Sequence, residues 1–195
     1  DYPNQVIHNS DGKLVMVGES AFGFGVVRVN TDGTLDTTFS TDGMLRHSFG
    51  TSRSDAYSVV QQADGRLVVA GTSVTSGDFD IDTLVSFTNS RDTNYDFSVI
   101  RLNADGSLDT SFSSDGQLML PVGAGDDVAQ SVIQQPDGKL ILAGYSLGTA
   151  DDSASFSFIR LNHDGTLDTT FGGSAASTLG SAVAYTEGAA AVRLD

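Results

Sequence analysis

The sequence predicts an all-β fold, a β-propeller-like array of three blades that each contain four antiparallel strands. Three observations lead to this prediction: one sequence unit occurs three times, Asp-Gly turns separate short β-rich segments, and some segments are apolar at consecutive positions. The 22 glycines, together with frequent Val, Thr, Ser and Phe, favour strands and tight turns over helices. We therefore expect almost no helix.

The first half of the repeat is a β-rich segment, an Asp-Gly turn and an apolar run. The turn and the run occupy residues 11–18, 64–71 and 137–144, and the segment before them ends in Asn or Gln. Because glycine adopts positive φ without a Cβ penalty, Asp-Gly between two such segments favours a tight hairpin. This half predicts strands a and b.

The second half is an apolar strand that leads into a longer turn. Residues 26–39, 99–112 and 158–171 share the pattern Arg-x-Asn-x-Asp-Gly-x-Leu-Asp-Thr-x-Phe. A short run follows the first two copies, at residues 44–49 and 117–122. This half predicts strands c and d, paired as a second hairpin.

Strand b indicates how the sheets are arranged. Leu67 to Ala70 and Leu140 to Ala143 contain no polar residue, and such a strand is buried on both faces, as in stacked sheets. We assign residues 1–173 to one propeller-like domain, with repeats at about 1–53, 54–125 and 126–173. Closed rings usually need about four to eight blades. Three blades therefore predict a partial ring or an arc that assembles further.

The motifs Gln-x-Asp-Gly-Lys-Leu and Arg-Leu-Asn-x-Asp-Gly-x-Leu-Asp-Thr-x-Phe together resemble the delta-sixty repeat, over about residues 4–173. That family consists of propeller-like repeats of very large bacterial secreted and adhesin-like proteins. The resemblance implies a secreted protein of the extracellular cell surface. Residues 174–195 either supply a closing strand for the third blade or begin a following module, since residues 183–192 resemble the opening strand of a cadherin-like module.

The net charge of −15 narrows the choice of partners. It repels phosphate backbones and anionic lipid, so we expect no nucleic acid partner. No apolar run approaches the roughly 20 residues of a membrane helix, so we expect no membrane insertion. The absence of cysteine excludes disulfides and thiol catalysis. Cations are the natural counterpart of this charge.

The b–c connection varies most between repeats. It is shortest from Gly18 to Arg28 and longest from Gly71 to Arg101. In an up-and-down blade this loop shares one edge with the d–a loop, so the variation is confined to one face, which is how scaffolds display binding loops. The candidate ligand residues on this face are Tyr95, Asp126, Asp127, Tyr145, Asp151 and Asp152.

The longest b–c loop contains a candidate calcium site. Asp78, Asp80 and Asp82 place three carboxylates on one side of an extended segment, and Ca²⁺ prefers oxygen ligands. The alternative is a solvated edge hairpin. The recurring Asn-x-Asp-Gly turn is open to the same two interpretations, as a metal loop or as a set of Asx turns that let the following Phe fill the space between blades.

A repeated pair of opposite charges offers a structural role. Each arginine precedes an aspartate by the same interval, which would let the two side chains meet across the c–d hairpin. The predicted pairs are Arg28 with Asp36, Arg101 with Asp109, and Arg160 with Asp168.

Three functions remain open from the sequence. The first is a non-catalytic structural or adhesive module that associates with its own copies or neighbouring repeats into rings or fibres. The second is a calcium-dependent propeller that binds a surface glycan or protein. The third, a glycan-active enzyme, has little support, because the three histidines occupy unrelated repeat positions and the common hydrolase motifs are missing.

Overall fold

The computed structural model describes residues 1–21, 23–50, 53–76, 94–148, 154–171 and 177–179. Every regular element among these residues is a β-strand, so none of them forms a helix that could cross a membrane. The strands are β1 (Tyr2–His8), β2 (Leu14–Ser20), β3 (Gly23–Val29), β4 (Met44–His47), β5 (Ser54–Gln61), β6 (Leu67–Ser76), β7 (Asn94–Leu102), β8 (Gln117–Leu120), β9 (Asp127–Gln134), β10 (Leu140–Leu147), β11 (Ala154–Leu161) and β12 (Ser177–Leu179).

The strands form three four-stranded antiparallel sheets of consecutive strands, β1 to β4, β5 to β8 and β9 to β12. The sheets stack through their first strands, because β5 packs against β1, β2 and β3, and β9 packs against β5, β6 and β7. The predicted all-β array of three blades is confirmed. β12 pairs with β11 and is the outer strand of the third sheet. Residues 180–195, which carry the cadherin-like resemblance, lie outside the described residues.

Two apolar cores fill the spaces between the sheets. Leu67 and Val69 of β6 face the first repeat, whereas Val68 and Ala70 face the third, and all four are fully buried. Side chains alternate along a strand, so a strand between two sheets needs apolar residues at every position. This burial explains the consecutive apolar residues in strand b.

The a–b turn differs in detail from a two-residue hairpin turn. The Gly12 amide donates to the Asn9 carbonyl (3.0 Å) and the Asn9 amide donates to the Lys13 carbonyl (2.8 Å). Only Gly12 has positive φ, at 85°, which is the geometry of a type I turn followed by a left-handed glycine. The Asp11 carboxylate accepts the Lys13 amide at 3.1 Å. The aspartate thus fixes the turn through its side chain, without a left-handed backbone.

A β-bulge explains the glycine in the middle of each strand b. In β5, Ala56 faces Gly71 and Ser58 faces Ala70, so Tyr57 is an extra residue. The bulge pushes the Asp55 carbonyl oxygen to the place that a Cβ on Gly71 would occupy. Only glycine fits there. Equivalent glycines stand opposite the bulges of the other two repeats, at Gly18 and Gly144.

The c–d turn holds two left-handed residues other than glycine. Ser40 and Thr41 have φ of 49° and 71°, a conformation that strains a residue with a Cβ, most of all a β-branched one. Replacement of Thr41 by glycine is therefore expected to raise the free energy of unfolding by about 0.5–1 kcal/mol, measured by urea denaturation. Thr37→Gly, in the same exposed loop at ordinary φ, serves as the control and is expected to lower it. Equal losses in both variants would show that Thr41 is unstrained.

Candidate functional site

The c–d connection is organised around a buried ion pair. Arg28 Nε donates to Asp36 Oδ2 at 2.6 Å, and Lys13 Nζ reaches the same oxygen at 2.8 Å. The other carboxylate oxygen accepts the amide (3.1 Å) and the hydroxyl (2.6 Å) of Thr38. The guanidinium carbon of Arg28 lies 4.6 Å from the ring centroid of buried Phe39. These contacts occupy both oxygens of Asp36 and one face of the guanidinium.

The other repeats make the same arrangement. Arg101 Nε lies 2.6 Å from Asp109 Oδ2, and the Nε of Arg160 lies 2.9 Å from Asp168 Oδ2. The three pairs predicted from the equal spacing of arginine and aspartate are all present. Each aspartate also contacts a second cation from the a–b turn that sequence reasoning missed, although a basic residue follows Asp-Gly in every copy. These cations are Lys13, Arg66 and Lys139.

This environment lowers the pKa of the three aspartates. Burial by itself would raise the pKa of Asp36, but Lys13, the Thr38 hydroxyl and amide, and Arg28 together hold it well below its usual range. Burial opposes the lowering at Asp109 as well, where Ser111 and then Arg101 outweigh it. At Asp168, Lys139 has the largest effect. All three groups therefore remain ionised at neutral pH.

Stability should consequently depend on acid. The pKa of each aspartate is lower in the folded state than the value of about 3.9 in the unfolded chain, so the stabilisation is complete above about pH 4 and is lost as the pH falls towards the folded-state pKa. We expect the melting temperature to decline below that pH. The melting temperature of Asp36→Asn should fall less steeply with decreasing pH than that of Asp11→Asn, which is a matched change in an exposed turn. Parallel declines would contradict the assignment.

The same arginine also joins neighbouring repeats. Arg28 Nη1 donates to the Ala104 carbonyl oxygen of the second repeat at 2.5 Å, and Arg101 Nη1 donates to the His163 carbonyl oxygen of the third repeat at 2.5 Å. Ala104 and His163 occupy the same place in the Asn-x-Asp-Gly turn. The arginine thus connects its own aspartate to the main chain of the next repeat.

Two further hydrogen bonds recur at both boundaries between repeats. The main-chain amide that follows the repeated phenylalanine donates to an aspartate carbonyl at 2.8 Å, from Ser40 to Asp105 and from Ser113 to Asp164. A side chain of strand a also accepts an amide of the next strand a. These acceptor and donor pairs are Gln5 Oε1 with the Val59 amide (2.5 Å) and Ser58 Oγ with the Val132 amide (3.1 Å).

The opposite edge of the sheets carries a cluster of tyrosines. Tyr57, Tyr95 and Tyr145 are half-buried, and burial raises the pKa of each phenol, that of Tyr57 to about 12 with added repulsion from Asp55. Arg53 opposes the shift at Tyr57 and Tyr95. The predicted residues Tyr95 and Tyr145 therefore share this surface with Tyr57. Sequence reasoning missed Tyr57, although Gly71 in the middle of strand b is a signal of the bulge that positions it.

The two neighbouring aspartates of this face differ in role. Asp127 is fully buried, and its carboxylate accepts the amides of Val122 (2.7 Å) and Gly123 (2.9 Å). It therefore holds the d–a loop together and does not lie on an open ligand surface. Asp126 is partly exposed, and its Oδ1 accepts the Tyr95 amide at 3.1 Å. Asp126 remains available to the tyrosine cluster.

Most of the candidate metal ligands lie outside the described part of the chain. Asp78, Asp80, Asp82, Asp151 and Asp152 lie outside it. Among the residues that the structure describes, no group of three His, Asp or Glu side chains could hold a metal ion. In the Asn-x-Asp-Gly turn, Asp32 Oδ1 accepts the amide (3.0 Å) and the hydroxyl (2.7 Å) of Thr34. Those contacts match the Asx-turn interpretation of this motif.

Comparison with known proteins assigns the repeat. The chain matches the family described as "Domain of unknown function (DUF5122) beta-propeller" at residues 9–39, 62–81, 84–112 and 135–171, together more than half of its length. The chain belongs to the DUF5122 β-propeller family. In every repeat the DUF5122 match starts at the Asn or Gln before the a–b turn and ends at the repeated phenylalanine, and in the second repeat it is in two pieces. The family unit thus includes the complete arginine and aspartate arrangement.

A solved structure shares the fold. The crystal structure of a protein of unknown function from Dyadobacter fermentans DSM 18053 superposes with a TM-score of 0.55 at 12% sequence identity. The match covers 84% of this chain and 52% of that one, so the DUF5122 chain spans about half the length of its structural neighbour. No curated protein matches the sequence.

Proposed function

We propose that this chain is a non-catalytic structural module that associates through its repeats. The main support is that the same three hydrogen bonds occur at both boundaries between repeats, and that the repeated polar residues are used in those contacts. Side chains already paired with one another and with the main chain are determinants of the fold. The contacts of the repeated polar residues thus support a role in packing one repeat against the next.

The setting we propose is a large extracellular bacterial surface protein, with the module in an adhesive or spacing role. The resemblance to delta-sixty repeats supports this setting, as does an acidic surface, which keeps a repeat array soluble. The test is to label intact producing cells with antibodies against the chain, before and after protease treatment of the cell surface. Labelling that protease removes is expected. Labelling only after permeabilisation would overturn the proposal.

A second candidate function is favoured by the tyrosine cluster. Three half-buried tyrosines beside Asp126 and Arg53 supply apolar ring surface together with polar groups, the combination found in ligand sites. We propose surface carbohydrate or protein as the ligand class. We further propose that binding depends on calcium, because the long b–c loop contains the candidate calcium ligands Asp78, Asp80 and Asp82. A glycan array with millimolar Ca²⁺ or with chelator tests it. Binding should be lost in Tyr145→Ala and kept in Tyr2→Ala, an exposed tyrosine elsewhere.

A further inference from the structure

The first sheet has one side that no described residue of another repeat covers. We call it the front side, and it faces away from the second repeat. The corresponding side of the second sheet lies fully buried under the first repeat, through Leu67, Val69, Ile100 and Leu102. In the first repeat the equivalent residues are all partly exposed. They are Leu14, Met16, Val27 and Val29.

The third sheet has the complementary side, the back side, which faces away from the second repeat. Ile141 and Phe158 on this side are only partly buried, whereas the equivalent Val68 and Val99 are 0% and 1% exposed beneath the next repeat. The front side of the first sheet and the back side of the third sheet are therefore both apolar. They have the same residue pattern as the two surfaces that meet wherever neighbouring repeats pack together within the chain.

The polar groups of the boundary are likewise divided between the two ends. Arg160 corresponds to Arg28 and Arg101, but no carbonyl of a following repeat accepts from it among the described residues, and its side chain is 18% exposed. At the front side, the Thr31 carbonyl corresponds to those of Ala104 and His163. It receives no donor within the described part of the chain. One end thus holds the donor and the other end holds the acceptor.

The glycine of the c–d turn contacts a phenylalanine ring of the preceding repeat at both internal boundaries, but not in the first repeat. A Cβ on Gly106 would lie 3.0 Å from the ring of Phe39, and one on Gly165 would lie 2.9 Å from the ring of Phe112. The ring of one repeat therefore rests on the glycine of the next. The equivalent Gly33 has nothing within 4 Å. The front side also has an open hollow of about 360 Å³, lined in part by Met16, Val27 and Met44.

We propose that the front side of this chain binds the back side of a second copy, with Arg160 donating to the Thr31 carbonyl and Phe171 resting on Gly33. This inference rests on the proposed structural function and names its partner. The contact is heterologous, since each copy offers a different surface, and it reproduces the boundary that the chain already makes twice within itself. Two copies that closed on each other would give a ring of six blades, within the usual range of about four to eight.

The test is light scattering of the chain over a wide dilution series at physiological ionic strength, where the repulsion between two acidic copies is screened. A mass above one chain that falls on dilution is expected. Gly33→Asn and Met44→Glu should each weaken association by about tenfold or more. Asparagine tolerates positive φ but fills the place of the ring, and glutamate brings a charge to an apolar side that the contact would bury.

The matched controls are Gly50→Asn and Met119→Glu. Gly50 also has positive φ and nothing within 4 Å, and Met119 is an exposed methionine on an outer strand of the middle sheet. Both controls should associate as the parent does, and melting curves check that all four variants fold. A mass of one chain at every concentration, or equal effects of variants and controls, overturns the inference. The cell-labelling result would be unchanged by that outcome, so the proposed extracellular setting and the proposed contact between copies fail separately.

Discussion

Gly71→Ala should be among the most damaging single substitutions in this chain. A Cβ at this position overlaps the Asp55 carbonyl oxygen of the paired strand, and this oxygen belongs to the main chain of the buried middle sheet, so it cannot swing aside as a side chain could. The bulge at Tyr57 would have to be removed to make room, which shifts the register of β5. We expect a loss of about 4 kcal/mol or more in the free energy of unfolding, measured by urea denaturation.

Gly33→Ala is the control for this experiment. Gly33 has φ of 84° and nothing within 4 Å of a Cβ, so alanine there costs only the left-handed strain of about 1–2 kcal/mol. The comparison separates the overlap from the general cost of replacing a glycine. Similar losses at the two positions would mean that the bulge adapts to a side chain.

Arg101→Met is expected to have the second large effect. The Arg101 side chain is 1% exposed and contacts Asp109, Ser111 and the His163 carbonyl. Its removal leaves the Asp109 carboxylate buried with the partly exposed Arg66 as its remaining cation. Breaking a buried pair from one side typically costs about 3–5 kcal/mol. We expect a loss of that size in chemical denaturation.

Two comparisons show where such a loss arises. Arg160→Met should cost less, because Arg160 is more exposed and has no described acceptor in a following repeat. Adding Asp109→Asn to Arg101→Met should restore part of the stability, since the unpaired charge is then removed. If the double variant were as unstable as the sum of the two single ones, the loss would come from packing against Phe112 and the uncovered His163 carbonyl.

The features that could be predicted from the sequence were those that recur in register. The equal spacing of Arg28 and Asp36 in every copy was enough to predict their contact, because the start of the c–d turn folds back on the end of strand c, where the Asp36 amide donates to the Arg28 carbonyl at 2.9 Å. The consecutive apolar residues from Leu67 to Ala70 were enough to predict sheets on both faces. In each case repetition separates a structural requirement from chance.

Features that depend on main-chain atoms could not be predicted in this way. The carbonyl of Ala104 accepts an arginine from another repeat, but every residue has a carbonyl, so no residue type signals the acceptor. The burial of Asp127 has the same cause, because its partners are the amides of Val122 and Gly123. Tyr57 reaches the loop face through a bulge, which shifts the alternation of side chains that a regular strand would give.

The use of a main-chain acceptor by Arg28 and Arg101 bears on how such an array can change over time. The carbonyl comes from Ala104 or His163, and the equivalent residue of the first repeat is Thr31, so the side chain at this position carries no information that a neighbour needs. A repeat can mutate there, be duplicated or exchange places with another, and the arginine of whichever repeat precedes it still finds its partner. Growth of the array by gene duplication therefore needs no matched mutation at this contact.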